Sequence, residues 1–528
     1  MCNIGMIVNC LQGGGAERCA ADLSLFFEQN GYHVIFFTDL SFTRDYEYRG
    51  ELVNFTYHLN NTSDNPLEEK VNELRCLKEQ NNIDIAISFM QLANYLNILS
   101  KNREKVILTT HSVNSIYAKM DQSVFLSEHT FKELYQYADL ITFPSEYCRK
   151  DWIQHYGDKN NITKTVYNPV HLMDSLEMPK KENVILAIGR MHSIKRQWHL
   201  IKVFKKVHDE LPEYKLVILG EGALRPKLEN LVQKLGLLDS VKMPGNVSNV
   251  SDYLARSKVM IMTSYCEAMP CSVLEALSAG IPVISCDSPG GIREELGVDI
   301  GIPCDKEALI GECGVITPYI RENCLYEYSH EEQILADEVI KFLKNPILQK
   351  QLSTNAKKTI EKYVVEKIGK VWIDDFFSNQ LSCDINIEQF QKDKQLSLNM
   401  FMKRKNESKE LYVSYFRLLE KWMRVREENR NLIEYFYKND YKNIVIYGLG
   451  KMASHLFFDL KDSDVKVIGA IDKGAINKFE EYPVVTIDDD IPKADCIIVT
   501  TTYDYENIKE QLVSKVDCPI ISLMDIVN

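Results

Sequence analysis

Residues 264–280 read Ser-Tyr-Cys-Glu-Ala-Met-Pro-Cys-Ser-Val-Leu-Glu-Ala-Leu-Ser-Ala-Gly, and they hold two glutamates, Glu267 and Glu275. An apolar strand pattern comes directly before it, and Glu267 falls in the loop that follows. Pro270 fits the first turn of a helix, where its missing N–H costs nothing, and Gly280 ends that helix. Glu275 lies inside the helix. A carboxylate beside a strand's carboxyl end and a helix N-terminus is typical of sites for polyhydroxylated, phosphorylated ligands.

The two glutamates, with seven residues between them, also give the chain a family resemblance. In this order of strand, loop, proline, helix and glycine, the stretch resembles the retaining glycosyltransferases of family 4, which carry a Glu-x7-Glu element here. Taken alone, two acidic residues at this spacing are more typical of surface charge. The resemblance covers about residues 1–378 and is strongest over 184–296. It implies the GT-B fold, in which two Rossmann-like α/β domains face each other across a cleft.

Strand and helix patterns alternate through residues 1–360, which indicates parallel sheets with helical crossovers. The polar run 177–183 reads as a linker between two such sheets. The fold class we predict is α/β: a GT-B pair of domains, a helical connector and a third, small Rossmann-like domain. The predicted segments are an acceptor-side domain (1–176), a nucleotide-sugar domain (177–361), a crossover helix back to the first domain that contains Trp372 and Phe376 (362–380), the connector (381–438) and the accessory domain (439–528).

Composition excludes several classes of function. A formal net charge of −13 disfavours nucleic acid as a partner. No run of 18 apolar residues predicts a transmembrane helix, and the first residues lack the basic region of a signal peptide. Fourteen scattered cysteines without a Cys-x-x-Cys pair indicate reduced thiols. We therefore expect a cytoplasmic protein, with peripheral contact at the inner face of the membrane left open.

Two further loops carry the residue types that bind a diphosphate. The first, Gly13-Gly14-Gly15-Ala16-Glu17-Arg18, joins the first strand to the first helix, and glycines let a backbone approach a phosphate or sugar closely. A tight turn without any ligand is the alternative. The second, Gly189-Arg190-Met191-His192-Ser193-Ile194-Lys195, follows the first strand of the second domain. Arg190 offers a planar fork to phosphate oxygens and Lys195 a point charge. Both loops resemble family-4 enzymes that build surface glycans from UDP-sugars.

The resemblance assigns roles to the remaining candidate residues. It implies that Glu275 binds ribose hydroxyls, that Glu267 contacts the donor sugar, and that the amides of Ala268, Met269 and Cys271 face sugar or phosphate oxygens. Family members often have Gly-Phe-Pro after the first glutamate, whereas this chain has Ala-Met-Pro, which leaves donor selectivity open.

His111 directly follows an apolar strand, in the region where the family places a histidine on the donor sugar. A lone histidine is otherwise more often structural. We include it with Glu267, Arg190 and Lys195 among the predicted catalytic residues, and Gly14 and Gly15 among the donor-binding ones.

The accessory domain carries the glycine turn of a dinucleotide fold. Gly448-Leu449-Gly450 follows a strand, and Asp472 ends the next one. The unit is only about half of a full Rossmann domain, so we disfavour bound NAD and expect a folded module that contacts a partner, a nucleotide or the rest of the chain. We also expect it to fold alone and to be dispensable for donor chemistry. Apolar positions at helical spacing in residues 384–438 leave homo-oligomerisation open.

These observations predict a retaining, metal-independent glycosyltransferase. It would move a sugar from a nucleotide-diphosphate donor, a UDP-sugar by resemblance, to a glycan or lipid-linked saccharide in surface polysaccharide synthesis. No Asp-x-Asp motif flanked by apolar residues or metal-ligand cluster stands where a metal-dependent transferase would need one, and no cofactor is expected. Two alternatives stay open: a sugar phosphorylase or nucleotide-sugar hydrolase on the same fold, and a non-catalytic nucleotide-sugar-binding scaffold.

Overall fold

The computed structural model divides the 528-residue chain into two compact units, Met1–Met400 and Phe401–Asn528. It describes residues 2–43, 45–57, 65–120, 123–173, 181–321, 328–377, 386–427, 432–461, 463–472, 483–501 and 504–527. The predicted boundary between residues 176 and 177, and most of the predicted linker, lie outside the described residues.

The first sheet has seven parallel strands in the order β3-β2-β1-β4-β5-β6-β7. Helices connect most of these strands, as the sequence pattern indicates for a doubly wound sheet. The strands are β1 (Asn3–Ile7), β2 (His33–Thr38), β3 (Glu51–Asn54), β4 (Ile85–Phe89), β5 (Lys105–Thr109), β6 (Leu140–Phe143) and β7 (Thr163–Thr165). The helices are α1 (Gly15–Gln29), α2 (Pro66–Gln80), α3 (Gln91–Leu99), α4 (Asn114–Met120) and α5 (Glu146–Tyr156), with short 3₁₀ or π turns at Val124–Leu126, Thr130–Leu134 and Tyr135–Tyr137.

The second sheet also has seven strands, in the order β10-β9-β8-β11-β12-β14-β13, and only β13 runs antiparallel. Its strands are β8 (Val184–Ile188), β9 (Lys215–Leu219), β10 (Val241–Gly245), β11 (Val259–Met262), β12 (Val283–Cys286), β13 (Leu309–Ile310) and β14 (Gly314–Thr317). Its helices are α6 (Gln197–Glu210), α7 (Arg225–Lys234), α8 (Val250–Arg256), α9 (Cys271–Ser278), α10 (Ile292–Leu296), α11 (His330–Leu343) and α12 (Pro346–Thr359). The two sheets, within one compact unit, form the facing domains of the GT-B fold.

The chain returns to the first domain after α12, where a crossover helix is predicted over 362–380. A 3₁₀ turn (Ile360–Tyr363) comes first, and α13 (Val365–Val371) then continues without a gap into a π-helical segment (Trp372–Phe377). The helix begins after Val364, which is extended and forms a β-bridge with Val170. Trp372 is 3% exposed, and its ring centroid lies 6.3 Å from that of Phe27 in α1. Residues 378–380 lie outside the described part of the chain.

The segment predicted as a connector is divided between the two units. It contains α14 (Ile387–Glu427) and α15 (Leu432–Lys438). In the first unit, Phe390 is 6% exposed beside Tyr137, whose hydroxyl donates to Asp393 over 2.6 Å. In the second unit, Trp422 is 2% exposed in the core. The two parts of α14 are therefore structural members of their units, and not a solvated linker.

This division places the truncation point for the first unit at residue 400. A chain ending at Met400 is expected to stay folded and to bind donor like the full chain. A chain ending at residue 380 should lose several degrees in Tm, because the burial of Phe390 and Leu398 contributes roughly 1.5–3 kcal/mol each. Thermal unfolding of both truncations checks this, and equal Tm values would show that residues 386–400 do not stabilise the first unit.

The second unit contains a third parallel sheet, in the order β17-β16-β15-β18-β19. The order places β15, which precedes the glycine turn, between β16 and β18. The elements are β15 (Asn443–Tyr447), α16 (Lys451–Leu460), β16 (Lys466–Ile471), β17 (Val484–Val485), β18 (Cys496–Val499), α17 (Tyr505–Val513), β19 (Ile520–Ser522) and α18 (Leu523–Ile526).

No helix that the structure describes combines the length and apolar character needed to cross a bilayer.

Candidate functional site

The predicted site residues follow the carboxyl ends of four strands in the first unit. The glycine loop follows β1, His111 follows β5, the Arg190 loop follows β8, and Glu267 follows β11. The two domains touch here, since the Cys271 thiol donates to the Gly15 carbonyl over 3.6 Å. Ligands of open α/β sheets bind outside the carboxyl ends of the strands, so the cleft between these loops is the candidate site.

Lys195 and Glu267 form an ion pair at the centre of this cleft. The Lys195 ammonium donates to Glu267 Oε1 over 2.5 Å, and the two side chains are 24% and 12% exposed. The Glu267 backbone is fixed by a β-bridge to Gly290, where φ is +132°. A Cβ at Gly290 would lie 1.6 Å from the Glu267 carbonyl oxygen, so only glycine permits this approach. The pair is half-buried, positioned from two loops, and open to a ligand.

Arg190 lies on the rim of the cleft with an exposed side chain. Its carbonyl accepts a hydrogen bond of 2.9 Å from Gln197 Nε2 at the start of α6, which holds the loop. Burial raises the pKa of Glu17, in the first turn of α1, and the nearby positive charge of Arg190 opposes that rise. Arg190, from the second domain, therefore lies near the glycine loop of the first domain.

Glu275 is paired with Arg18, a contact between the two domains that the sequence analysis did not assign. The Arg18 guanidinium donates to Glu275 Oε1 and also lies 3.7 Å from Asp22. Burial raises the pKa of Glu275, and the attraction of Arg18 only partly offsets this. The sequence did contain a sign of this role for Arg18. It is the last residue of the Gly-Gly-Gly-Ala-Glu-Arg loop, so it lies in the first turn of α1 at the same sheet edge as the glycines.

His111 is placed differently from the charged residues. Its ring stacks on Phe89 with centroids 5.9 Å apart, and Nε2 lies 3.1 Å from Thr109 Oγ1. Burial lowers the pKa of His111 to about 4, so the imidazole is neutral at pH 7. Among the contacts of the described residues, no hydrogen bond or ion pair joins it to Lys195 or Glu267. It can bind a hydroxyl as a neutral group, but the geometry gives it no charged partner.

The loop between Glu267 and α9 also holds the domains together. Asn168 Nδ2 donates to the Met269 carbonyl over 2.9 Å, and the Cys148 thiol donates to the Ala268 carbonyl over 3.7 Å. These contacts engage two carbonyls of the loop. The Ala268 carbonyl shares its peptide unit with the Met269 amide, which therefore points away from Cys148, and Pro270 has no N–H to offer. The contact of Asn168 with this loop could not be predicted from the sequence, because the two segments are about 100 residues apart.

Glu294 makes a further contact between the domains. Its two carboxylate oxygens accept hydrogen bonds of 2.9 Å from the backbone amides of Glu146 and Tyr147, in the first turn of α5. Carboxylates stabilise helix N-termini because the first amides have no partner within the helix. The α5 helix is thus capped partly by the opposite domain.

The adjacent Glu295 is a fully buried acid beneath the site. It is 0% exposed, and neither carboxyl oxygen has a hydrogen-bond partner among the described residues. Burial raises its pKa well above the usual range, and the neighbouring carboxylates Glu267 and Glu294 raise it further. Burial therefore favours the protonated, neutral form of the Glu295 carboxyl group.

Replacing Glu295 with glutamine is expected to change how stability depends on pH. The raised pKa means that the folded state holds a proton that the unfolded state has released, so wild-type stability is lost as pH rises from about 4.3 to the folded pKa. Glu295→Gln removes this loss and should gain about 1.4 kcal/mol relative to wild type for each pH unit in that window. Urea unfolding of both proteins from pH 5 to 8 measures the difference, and parallel pH profiles would contradict the assignment.

The tail loop has the glycine turn but uses its acidic residue internally. Gly448 has φ of +86°, and Gly450 precedes α16. Asp472 Oδ2 accepts a hydrogen bond of 2.8 Å from the Leu449 amide, so this carboxylate is tied to the loop itself. In the parts of the chain that the structure describes, no group of three or more His, Cys, Asp or Glu side chains is arranged to hold a metal ion.

Comparison with known proteins agrees with this architecture. Residues 13–173 match the family model described as Glycosyltransferase Family 4, and residues 171–359 match Glycosyl transferases group 1. Residues 440–519 match a model described as C2185-like, N-terminal.

Individual relatives give the same result. An uncharacterized glycosyltransferase of Methanocaldococcus jannaschii is 35% identical over 239 residues, which are 41% of this chain but only 58% of that protein. A Campylobacter jejuni protein named N-acetylgalactosamine-N,N'-diacetylbacillosaminyl-diphospho-undecaprenol 4-alpha-N-acetylgalactosaminyltransferase is 26% identical over 346 residues, or 62% of this chain and 89% of its own. The solved structure of HepE from Anabaena with UDP-glucose superimposes with a TM-score of 0.56 at 18% identity, covering 71% of this chain and 100% of HepE.

Proposed function

Because residues 13–359 form a family-4-like glycosyltransferase of the GT-B fold, we propose that this protein transfers a sugar from a UDP-sugar to a glycan or lipid-linked saccharide. The proposed reaction retains the anomeric configuration and proceeds without a metal. The Campylobacter relative is named for an acceptor on diphospho-undecaprenol, and HepE was solved with UDP-glucose, which supports both substrate classes.

The observation that carries the proposal is the Lys195–Glu267 pair beside the start of α9. Breaking the bond between the sugar and the diphosphate leaves negative charge on the phosphate oxygens. In the proposed complex, Lys195 and Arg190 receive those oxygens, and fixed cations stabilise the charge as it grows in the transition state. Glu267 then binds hydroxyls of the donor sugar, and Glu275 binds the ribose.

Retention follows in this proposal from attack on the same face that the diphosphate leaves. The acceptor hydroxyl forms the new bond to the anomeric carbon as the bond to the phosphate oxygen breaks, through an oxocarbenium-like state. The departing phosphate takes the proton of that hydroxyl, so no protein nucleophile is needed. His111, neutral at pH 7, would bind a sugar hydroxyl without adding charge.

A donor screen tests the function directly. Thermal shifts with UDP-glucose, UDP-galactose, UDP-N-acetylglucosamine and UDP-N-acetylgalactosamine should reveal one stabilising donor, because a ligand that binds the folded state raises Tm. Transfer to the p-nitrophenyl glycosides of the same four sugars is then followed by mass spectrometry. Release of free sugar without transfer would favour a hydrolase, and stabilisation without turnover would favour a binding scaffold.

Activity is expected to survive EDTA. In the proposed site Arg190, Lys195 and the amides at the start of α9 take the place that a metal holds in metal-dependent transferases. Initial rates of sugar transfer measured with about 5 mM EDTA should agree within about twofold with rates measured after adding magnesium or manganese. Complete loss on chelation with recovery on adding either ion would refute metal independence.

The accessory domain has no cofactor in this proposal. The unit of residues 439–528 is only about half of a full dinucleotide-binding domain, which is why bound NAD is disfavoured. Absorbance and mass spectrometry of the purified full chain detect any stoichiometric dinucleotide.

A further inference from the structure

Met90 has a backbone conformation that residues other than glycine rarely adopt. It lies between β4 and α3 with φ of +75° and ψ of +164°. This region of backbone angles is almost restricted to glycine, because a Cβ crowds the neighbouring peptide groups there. The side chain is nevertheless a large apolar one, and it is 37% exposed.

The residues around Met90 hold it in this conformation. Phe89 is 1% exposed and Gln91 9%, and the Gln91 amide donates to Ser112 Oγ. Asn94 is fully buried and donates to the Thr109 carbonyl over 2.8 Å. Strain of this kind persists where buried neighbours fix the backbone on both sides, and it is concentrated at functional sites.

The position of Met90 in the sheet places it at the cleft. Strand β4 lies between β1 and β5, and Phe89 is paired with Thr109. One residue further, Met90 lies on the carboxyl edge between the glycine loop after β1 and His111 after β5. That edge belongs to the acceptor-side domain of the proposed enzyme.

We propose that Met90 is a specificity-determining contact for the acceptor saccharide. This inference rests on the proposed function, and it concerns acceptor binding by the first domain. A methionine side chain is flexible and apolar, so it fits the C–H face of a pyranose ring without a fixed hydrogen-bond geometry. Met90 is partly exposed at this edge of the sheet, so its side chain is accessible to a ligand.

The first test measures strain. Met90→Gly removes the Cβ and is expected to raise Tm by roughly 2–4 °C, whereas Met90→Ala keeps the Cβ and should not raise it. An unchanged or lowered Tm in Met90→Gly would show that the conformation is not strained, and would overturn the argument.

The second test measures contact with the acceptor in the full chain. Methyl-¹³C methionine labelling, with the Met90 resonance assigned from Met90→Ala, follows titration with UDP and then with the four p-nitrophenyl glycosides. The Met90 methyl signal should move when a glycoside is added and not with UDP alone. A shift with UDP alone, or no shift with any glycoside, overturns the proposal.

The third test uses kinetics. Both Met90 variants should raise the acceptor KM about fivefold to tenfold, the effect of losing one apolar contact, while the donor KM stays within twofold. Leu238→Ala, an exposed apolar residue before β10 at the opposite edge of the second sheet, is the control and should leave both constants unchanged. Equal changes in donor and acceptor KM would overturn the assignment. Failure of wild type to bind UDP would instead reject the proposed function, independently of the Met90 signal.

Discussion

Replacing Lys195 with alanine is expected to lower turnover of the nucleotide sugar roughly 10²–10³-fold, the usual effect of losing one preorganised charge contact. In the proposed reaction this ammonium meets the leaving diphosphate, and without it Glu267 also loses its ion-pair partner. The protein should still fold, because the Lys195 side chain is partly exposed in the cleft. Steady-state rates with the best donor of the screen measure the effect.

The control for this change is Lys205→Ala. Lys205 also pairs with a carboxylate, Asp209, but on the exposed face of α6. That variant should keep wild-type turnover. Arg190→Ala is expected to resemble Lys195→Ala, and near-full activity in either cleft variant would show that the diphosphate does not bind there.

Glu275→Ala is expected to weaken UDP binding about 10–100-fold. Hydrogen bonds to a charged group contribute roughly 1.5–3 kcal/mol, and each 1.4 kcal/mol is tenfold in affinity. The carboxylate is mostly buried and bound to Arg18, so it is oriented before the nucleotide arrives. Calorimetry with UDP measures the loss, and Glu229→Ala, which breaks an exposed pair with Arg225, should have no effect.

Glu267→Ala separates the two proposed carboxylate roles. Since Glu267 is assigned to the transferred sugar and not to the nucleotide, this variant should depress transfer while its UDP affinity stays near wild type. Equal losses of UDP affinity in Glu267→Ala and Glu275→Ala would contradict that division.

The fold could be predicted largely because its signals are local. Apolar strands followed by glycine or proline turns occur throughout the two sheets, and strand, loop and helix around Glu267 lie where the sequence places them. The start of the crossover helix was predicted less well. Val364 is a common strand residue inside a helical pattern. Its extended conformation depends on pairing with Val170, which is distant in the sequence.

The candidate site shows the same limit. Residues such as Arg190, Lys195 and Glu267 could be selected because each follows a strand, where ligands of α/β sheets bind. Their ion pairs could not be predicted from the sequence. Lys195 contacts Glu267, and Arg18 contacts Glu275, only after distant segments of the chain have packed together. The buried acid Glu295 was missed for a related reason, since the sequence around it resembles an ordinary polar helix.

The cap that Glu294 gives to α5 has a consequence for building hybrid enzymes. An acidic side chain of one domain completes the first turn of a helix in the other, so each half of the molecule carries part of the other's local stability. Grafting the second domain of a relative onto this first domain would therefore need a carboxylate at the position of Glu294. Without it, the recombined protein would keep the Ser145 cap of α5 but lose the partners of the Glu146 and Tyr147 amides, whatever donor the new domain prefers.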